Sequence, residues 1–193
     1  MQIVSQLKNY IQSRTNISDE DLNEIFLLCS VHDYKKDDVI IKHGGLCRVI
    51  GFLNKGLIRV TSIKLDKEFT AQFIFEGCFF SYVPGLTEKK CDEDFIALED
   101  CEVVLLDKNI LRQILEKDQR LNKLFTLKLA QELKNLLFQN QQYRSTSPTE
   151  RYLHFVEQNH EVYNRILLQY IAAYLGLEPR SLSRIRNRLS KKH

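Results

Sequence analysis

Between Asp107 and Lys108 the hydrophobic pattern changes period, and no single kind of secondary structure can satisfy both sides of that change. Upstream, from Val31 to Asp107, apolar residues gather in short β-rich runs at 39–41, 49–53, 57–63, 69–75, 95–98 and 103–106. Turn residues separate them, among them His43-Gly44-Gly45, Asn54-Lys55-Gly56 and Glu76-Gly77. Short runs punctuated this way predict an antiparallel sandwich or barrel. Downstream, residues 108–143 contain neither glycine nor proline, and Ile110, Leu111, Ile114, Leu115, Leu121, Leu124, Phe125, Leu129, Leu133, Leu136 and Leu137 recur at helical spacing. One break is expected near Lys117-Asp118, leaving a long second helix.

That second helix spreads its apolar residues over more than one face. One stripe can cover the β-rich region, while another, carrying Leu121, Phe125, Leu129, Leu133 and Leu136, can meet a second copy of the chain as an amphipathic dimer helix does. Burial wholly within its own chain is the alternative. Nearer the start, Ser18 precedes Asp19-Glu20-Asp21 and then Leu22, Ile25, Phe26 and Cys29, so a serine cap with acids in the first turn opens a short helix ending near Ser30. Ser145-Thr146-Ser147-Pro148-Thr149 is the candidate boundary or hinge, with a new helix starting at Pro148. The division expected is 1–116, 117–144 and 145–193.

Composition narrows the function classes. At 193 residues the chain suits two modest domains, and 44% hydrophobic with 27% charged residues is the balance of a folded globular protein. No stretch reaches the ~18 uninterrupted apolar residues of a membrane span, and the first residues lack a basic segment followed by an apolar one, so a cytoplasmic protein with no membrane partner is expected. Cys29, Cys47, Cys78, Cys91 and Cys101 are odd in number and irregularly spaced, which fits neither a disulfide framework nor a metal site. Reduced core thiols are the expectation, with a single redox-sensing thiol left open. His32, His43, His154, His160 and His193 show no metal-ligand spacing and accompany no nucleophile motif, so no metal, cofactor, catalytic residue or enzyme is expected.

The net charge of +3 hides an asymmetry. Residues 1–144 carry 20 basic and 21 acidic side chains, whereas residues 145–193 carry 8 and 4. Arg180, Arg184, Arg186, Arg188, Lys191 and Lys192 crowd the terminus with only Glu178 against them. A polyanion partner or a solvated terminal helix would each produce such a run.

The order of residues from Leu168 to Leu189 favours the polyanion. Ile171, Leu175, Leu182, Ile185 and Leu189 supply the apolar side of two short helices, and Ala172-Ala173 keeps their crossing small. Gly176 suits the left-handed residue that ends the first helix, and Pro179 suits the first turn of the second. The pieces fit a helix-turn-helix. On its second helix Arg180, Ser181, Ser183, Arg184, Asn187 and Arg188 are left for the outer faces. Entering a major groove, such a surface lets an arginine donate twice to guanine while serines and further arginines hold bases and phosphates. Double-stranded DNA is therefore the expected partner.

The sequence resembles the Crp/Fnr family of bacterial transcription regulators. The likeness spans nearly the whole chain and is strongest over 171–185, from Ile171-Ala172-Ala173 through Gly176-Leu177-Glu178-Pro179-Arg180-Ser181 to Arg184-Ile185, supported by Glu76-Gly77-Cys78-Phe79-Phe80 and by Ala97-Leu98-Glu99-Asp100-Cys101-Glu102-Val103. The resemblance implies an α+β fold: an N-terminal antiparallel β-roll (a double-stranded β-helix of the cyclic-nucleotide-binding kind) with flanking helices, a long dimerisation helix and a C-terminal helix-turn-helix domain. It also implies a homodimer, with RNA polymerase as a candidate partner. Arg180, Ser181 and Arg184 fall where the family contacts bases or phosphates. Arg180 departs from the glutamate many relatives carry, and exchanging an acceptor for a donor should change the preferred base. The chain stops soon after the second helix, so the downstream strands of the family's wing are expected to be absent.

The family's cyclic-nucleotide binders use a Gly-Glu pair for the ribose and an Arg-Ser pair for the phosphate. Here Ser81-Tyr82 stands after Phe79-Phe80, and Cys91-Asp92 falls where Arg-Ser would lie. Asp92, Glu93 and Asp94 crowd that place with negative charge, and two like charges at 4 Å repel by about 4 kcal/mol at an effective dielectric of 20. No cyclic AMP binding is expected. Lys89 and Lys90 lack the planar fork that grips phosphate at two points, and a solvated loop is their expected role. Phe73, Phe75, Phe79, Phe80, Tyr82 and Phe95 either fill the interior or line a site for an apolar effector, in which Phe79, Phe80, Ser81, Tyr82, Cys91 and Asp92 are the candidate residues. An unknown small-molecule effector and none at all both remain open. The competing function is a β-roll adaptor that binds a small molecule or protein without recognising DNA.

Overall fold

The computed structural model describes residues 5–64, 67–82 and 90–190. Two helices lead, α1 (Ser5–Gln12), which no sequence signal announced, and α2 (Asp19–Leu27). Ser18 caps α2 as expected: its hydroxyl accepts from the Asp21 amide at 3.1 Å, and three acids stand at the amide-rich end. The helix stops short of the expected end because Ser30 already belongs to a strand.

Among the described residues eight strands follow: β1 (Ser30–Tyr34), β2 (Val39–Ile41), β3 (Val49–Lys55), β4 (Leu57–Lys64), β5 (Lys67–Phe75), β6 (Phe79–Phe80), β7 (Glu93–Ala97) and β8 (Cys101–Asp107). They form two four-stranded sheets, β1-β8-β3-β6 and β2-β7-β4-β5. Successive strands cross repeatedly from one sheet to the other, which rolls the two into the expected antiparallel β-roll. Register is set by long pairings such as Ser30 opposite Leu105 through Tyr34 opposite Cys101.

One core lies between the sheets. Leu53, Phe80 and Val103 enter it from the first sheet, and Ile41, Ile58, Val60, Ile74, Phe95 and Ala97 from the second. Because side chains alternate along a strand, the neighbour of each inward residue in the first sheet turns away: Phe52, Phe79 and Val104 lie on its far face, against Leu7, Ile11, Ile17, Leu22 and Leu121. The central strands β3 and β8 of that sheet are covered on both faces, which accounts for the unbroken apolar run at 103–106. Leu121 thereby departs from its expected place in a dimer face. Its side chain is 8% exposed and packs within its own chain.

The helical region breaks where its sequence predicts, into α3 (Lys108–Lys117) and α4 (Gln119–Ser145). Asp118 leaves helical geometry with φ −118° and ψ 105°, and its carboxylate accepts from the Arg120 and Leu121 amides at 2.8 and 3.3 Å. The same carboxylate holds the Arg120 guanidinium at 2.6 Å, which keeps its pKa below the ordinary value. Beyond α4 come α5 (Pro148–Gln158), a short 3-10 turn (Tyr163–Arg165), α6 (Leu168–Tyr174) and α7 (Pro179–Ser190). Ser147 opens α5 with a full capping box: its hydroxyl accepts from the Glu150 amide, and the Glu150 carboxylate accepts from the Ser147 amide at 2.7 Å.

The chain divides into two compact units. One comprises 1–62 and 72–129; the other comprises 63–71 and 130–193, so the division falls inside α4. The second unit has its own core of Tyr152, Phe155, Ile166, Ile171, Ala172, Leu175, Leu182 and Ile185. Among the described residues no helix is long and apolar enough to cross a membrane.

Candidate nucleic-acid interface

The turn between α6 and α7 is built by three local signals. Gly176 takes φ +65°, the Leu177 amide reaches back to the Ala172 carbonyl at 2.8 Å, and the Gly176 amide to that of Ala173 at 3.4 Å. This is a Schellman closure, and it satisfies the carbonyls that a helix end leaves open. Pro179 then occupies the first position of α7, where its missing amide hydrogen is not needed, and the Glu178 carbonyl accepts from the Ser181 and Leu182 amides at 2.9 and 3.1 Å.

Burial fixes how α7 is oriented. Leu182 and Ile185 are buried and Leu189 is half-buried, so the opposite line of the helix is presented to solvent. At 3.6 residues per turn that line holds Arg180, Arg184 and Asn187, all exposed. Ser181 and Arg188 flank it on one side and are exposed; Ser183, on the other, is half-buried. The six residues chosen from the sequence thus cover one continuous solvent face of α7. Lys191 and Lys192 lie outside the described residues.

The arginines differ in freedom. Arg188 donates through Nη2 to the Thr149 hydroxyl at 3.0 Å, a partner 39 positions away that no local sequence signal could name. Arg186 points to the Ser183 side of α7, near Tyr152, whose phenol is pushed up by burial and drawn partly back by that guanidinium. Arg180 stands in the first turn of α7, where the unpaired amides of a helix start add their own positive field.

In the β-roll Phe79 stands apart from the other candidate effector residues. Phe80 and Tyr82 are buried between the sheets, Phe80 tilted against Phe95 with ring centres 5.9 Å apart. The Phe80 ring lies across Gly51, and a Cβ at Gly51 would collide with it. Phe79 does not belong to this interior: on the opposite face its ring meets Tyr10 and Phe52, at 5.3 and 5.0 Å between centres. Adjacent strand residues cannot share a face, which corrects the expectation that both phenylalanines line one pocket.

The cassette positions are occupied with each other. The Tyr82 hydroxyl donates to Asp92 at 2.8 Å; that carboxylate raises the phenol pKa, with burial adding to the effect. Ser81 donates to the Val49 carbonyl at 2.8 Å. The Cys91 backbone pairs with Gly44 and Gly45, and its thiol, which donates to the Glu93 carbonyl at 3.0 Å, is pushed up to about 11 by burial. Asp94 accepts from the His43 amide at 2.7 Å. Lys90 is exposed, while Lys89 lies outside the described residues. Among the described residues no cluster of three or more histidines, cysteines or carboxylates is arranged to hold a metal.

On α4 the expected dimer residues behave unequally. Leu121 is buried at home and Phe125 is half-buried, but Leu129, Leu133 and Leu136 are 50%, 58% and 62% exposed. Leu127, Leu137 and Phe138 are exposed beside them.

Residues 31–118 match the cyclic nucleotide-binding domain family. No curated protein matches the sequence significantly. Among solved structures, CLP, the c-di-GMP-responsive global regulator of Xanthomonas campestris, matches over 91% of this chain and 93% of its own, at 14% identity and a TM-score of 0.73. FixK2 of Bradyrhizobium japonicum covers 85% of each chain at 21% identity and a TM-score of 0.72. A transcriptional regulator of the CRP/FNR family from Thermus thermophilus covers 84% of this chain and 87% of its own, at 17% identity and a TM-score of 0.69. The chain has the CRP/FNR fold. The residues matched to the cyclic nucleotide-binding domain family take in all but the first residue of β1, then β2 through β8 and α3, and the exposed arginine face lies in the helical region beyond them.

Proposed function

We propose that this chain is a homodimeric, sequence-specific DNA-binding transcription regulator of the CRP/FNR type, located in the cytoplasm, that does not respond to cyclic AMP. The observation that carries the proposal is the solvent line of Arg180, Arg184 and Asn187 on α7, the second helix of what we read as a helix-turn-helix. A helix backed by Leu182, Ile185 and Leu189 and faced with guanidinium groups matches the chemistry of a major groove, where arginine donates to guanine O6 and N7. Residues 1–116 would then be the sensor, 117–144 the dimer helix and 145–193 the DNA-binding domain. Exposure of Leu129, Leu133 and Leu136 supports pairing through α4, and a pair of recognition helices one helical turn apart reads a near-palindromic site.

Loss of the nucleotide response rests on the β-roll. An anionic phosphate needs charge-assisted donors, and the described cassette offers Asp92 bonded to Tyr82, with Phe80 filling the space above Gly51.

A duplex enriched from random sequence by the protein tests the DNA reading. Affinity should fall roughly 1,000-fold between 50 and 200 mM salt if about six phosphates are neutralised. Arg180→Ala and Arg184→Ala should each weaken binding by at least tenfold, with the loss from Arg180 concentrated at one base position. Unchanged DNA affinity in both variants would favour the adaptor instead. Calorimetry with cyclic AMP should give no heat of binding; micromolar affinity refutes the sensor reading.

A further inference from the structure

We infer that Tyr143 and Arg151 are positioning residues that fix the recognition helix relative to the end of α4, and so set the half-site spacing the dimer accepts. The inference rests on the proposed DNA function and adds to it a determinant of operator geometry that lies outside the recognition helix.

Tyr143 is in the last turn of α4, and its hydroxyl lies over the turn that joins α6 to α7: a Cβ on Gly176 would stand 2.6 Å from that oxygen. The guanidinium of Arg151, from α5, covers the ring of Tyr143 with its central carbon 4.7 Å from the ring centre. Its Nη1 donates to the Thr146 carbonyl at 3.0 Å and approaches the Tyr143 carbonyl at 3.5 Å, two acceptors that the end of α4 leaves open. Two residues earlier on α5, Thr149 receives Arg188 of α7. The segment 145–149, which composition marks as a hinge, is therefore spanned by a clasp from α4 to the α6–α7 turn, with α5 tied to both sides.

The geometry has a consequence for recognition. In a dimer paired through α4, the chain runs from the pairing axis to α7 through this joint. Its angle decides where each recognition helix meets the duplex, and groove positions one base pair apart differ by about 3.4 Å and a tenth of a turn. Tyr143 is 54% exposed, so its truncation removes the clasp without opening a core.

The test uses the full-length protein and its enriched operator, with spacers one or two base pairs longer or shorter, alongside a duplex carrying a single half-site. The wild type should prefer one spacing by at least tenfold. Tyr143→Ala should lose about tenfold at that spacing, keep its affinity for altered spacings and stay within twofold on the single half-site; Arg151→Met should do the same, and Tyr143→Phe should restore the preference. An unchanged spacing profile in Tyr143→Ala, or an equal loss on the single half-site, overturns the inference. Should the wild type bind none of the duplexes, the DNA reading fails, and amide exchange without DNA decides the clasp. Faster exchange at 176–181 in Tyr143→Ala supports it, and unchanged exchange there overturns it.

Discussion

Gly176 answers two requirements at one position. Its φ of +65° is a conformation that a Cβ disfavours by about 1–2 kcal/mol, and the space such an atom would need is occupied by the Tyr143 hydroxyl. Gly176→Ala should lower unfolding stability by at least about 1 kcal/mol, read from the urea midpoint at unchanged slope. The thiols give a second residue-scale expectation. Burial pushes Cys29 and Cys91 up to about 11, so at pH 8 only on the order of 0.1% of either is thiolate. In the folded protein both should label with iodoacetamide at least a hundredfold more slowly than after denaturation. The linkage has the matching sign: the protonated form is favoured by folding, so its stabilisation is whole below pH 9 and fades as pH rises toward 11. Sequence showed Gly176 and Pro179 plainly because both act through their own backbone. It could not show that Arg188 is held by Thr149, since nothing local relates two positions 39 apart.

The helices that sequence marks most plainly are those whose ends carry their own chemistry. Ser18 at α2, Asp107 at α3 and Ser147 at α5 each accept from amides two or three positions ahead, and the break at Asp118 is a side chain bonding to the turn it starts. Ser147→Ala removes both halves of a capping box and should cost about 1 kcal/mol, measurable as a lower thermal midpoint, while Ser147→Asp should restore most of it. Three elements, α1, β1 and β6, leave no such trace in the sequence. The edge strand β1 has four of its five residues exposed, so no alternation betrays it. In α1 only Leu7 and Ile11 are buried, too few to show a period. β6 is two residues long, and which face Phe79 takes is decided by Tyr10 and Phe52, not by its own sequence. Leu121 belongs to the same class: helical spacing marked it as apolar, but its burial beside Phe52 and Val104 depends on how the sheet meets α4.

At the scale of the whole molecule, α4 is the place where the exposed apolar surface is concentrated. Thr126, Leu129, Leu133, Leu136 and Asn140 follow alternating steps of three and four, the spacing of a two-stranded seam, and its three leucines are at least half exposed along it. A single chain gains nothing by presenting leucines this way, whereas pairing two copies removes both stripes from water. Replacing Leu133 and Leu136 together by glutamate leaves the two cores untouched, because neither side chain contributes to them, but places four like charges along the seam of a dimer. Sedimentation should therefore show a dimer for the wild type and a monomer for the double variant, with the same far-ultraviolet dichroism. The wild type's melting temperature should rise with protein concentration, and the variant's should not. In the proposed regulator, separating the two copies should weaken binding to a two-half-site duplex by at least a hundredfold while leaving single half-site binding nearly unchanged, since only the linkage between two equal contacts is removed. A double variant that still sediments as a dimer would move the seam off α4, and a spacing preference could then no longer be transmitted through Tyr143.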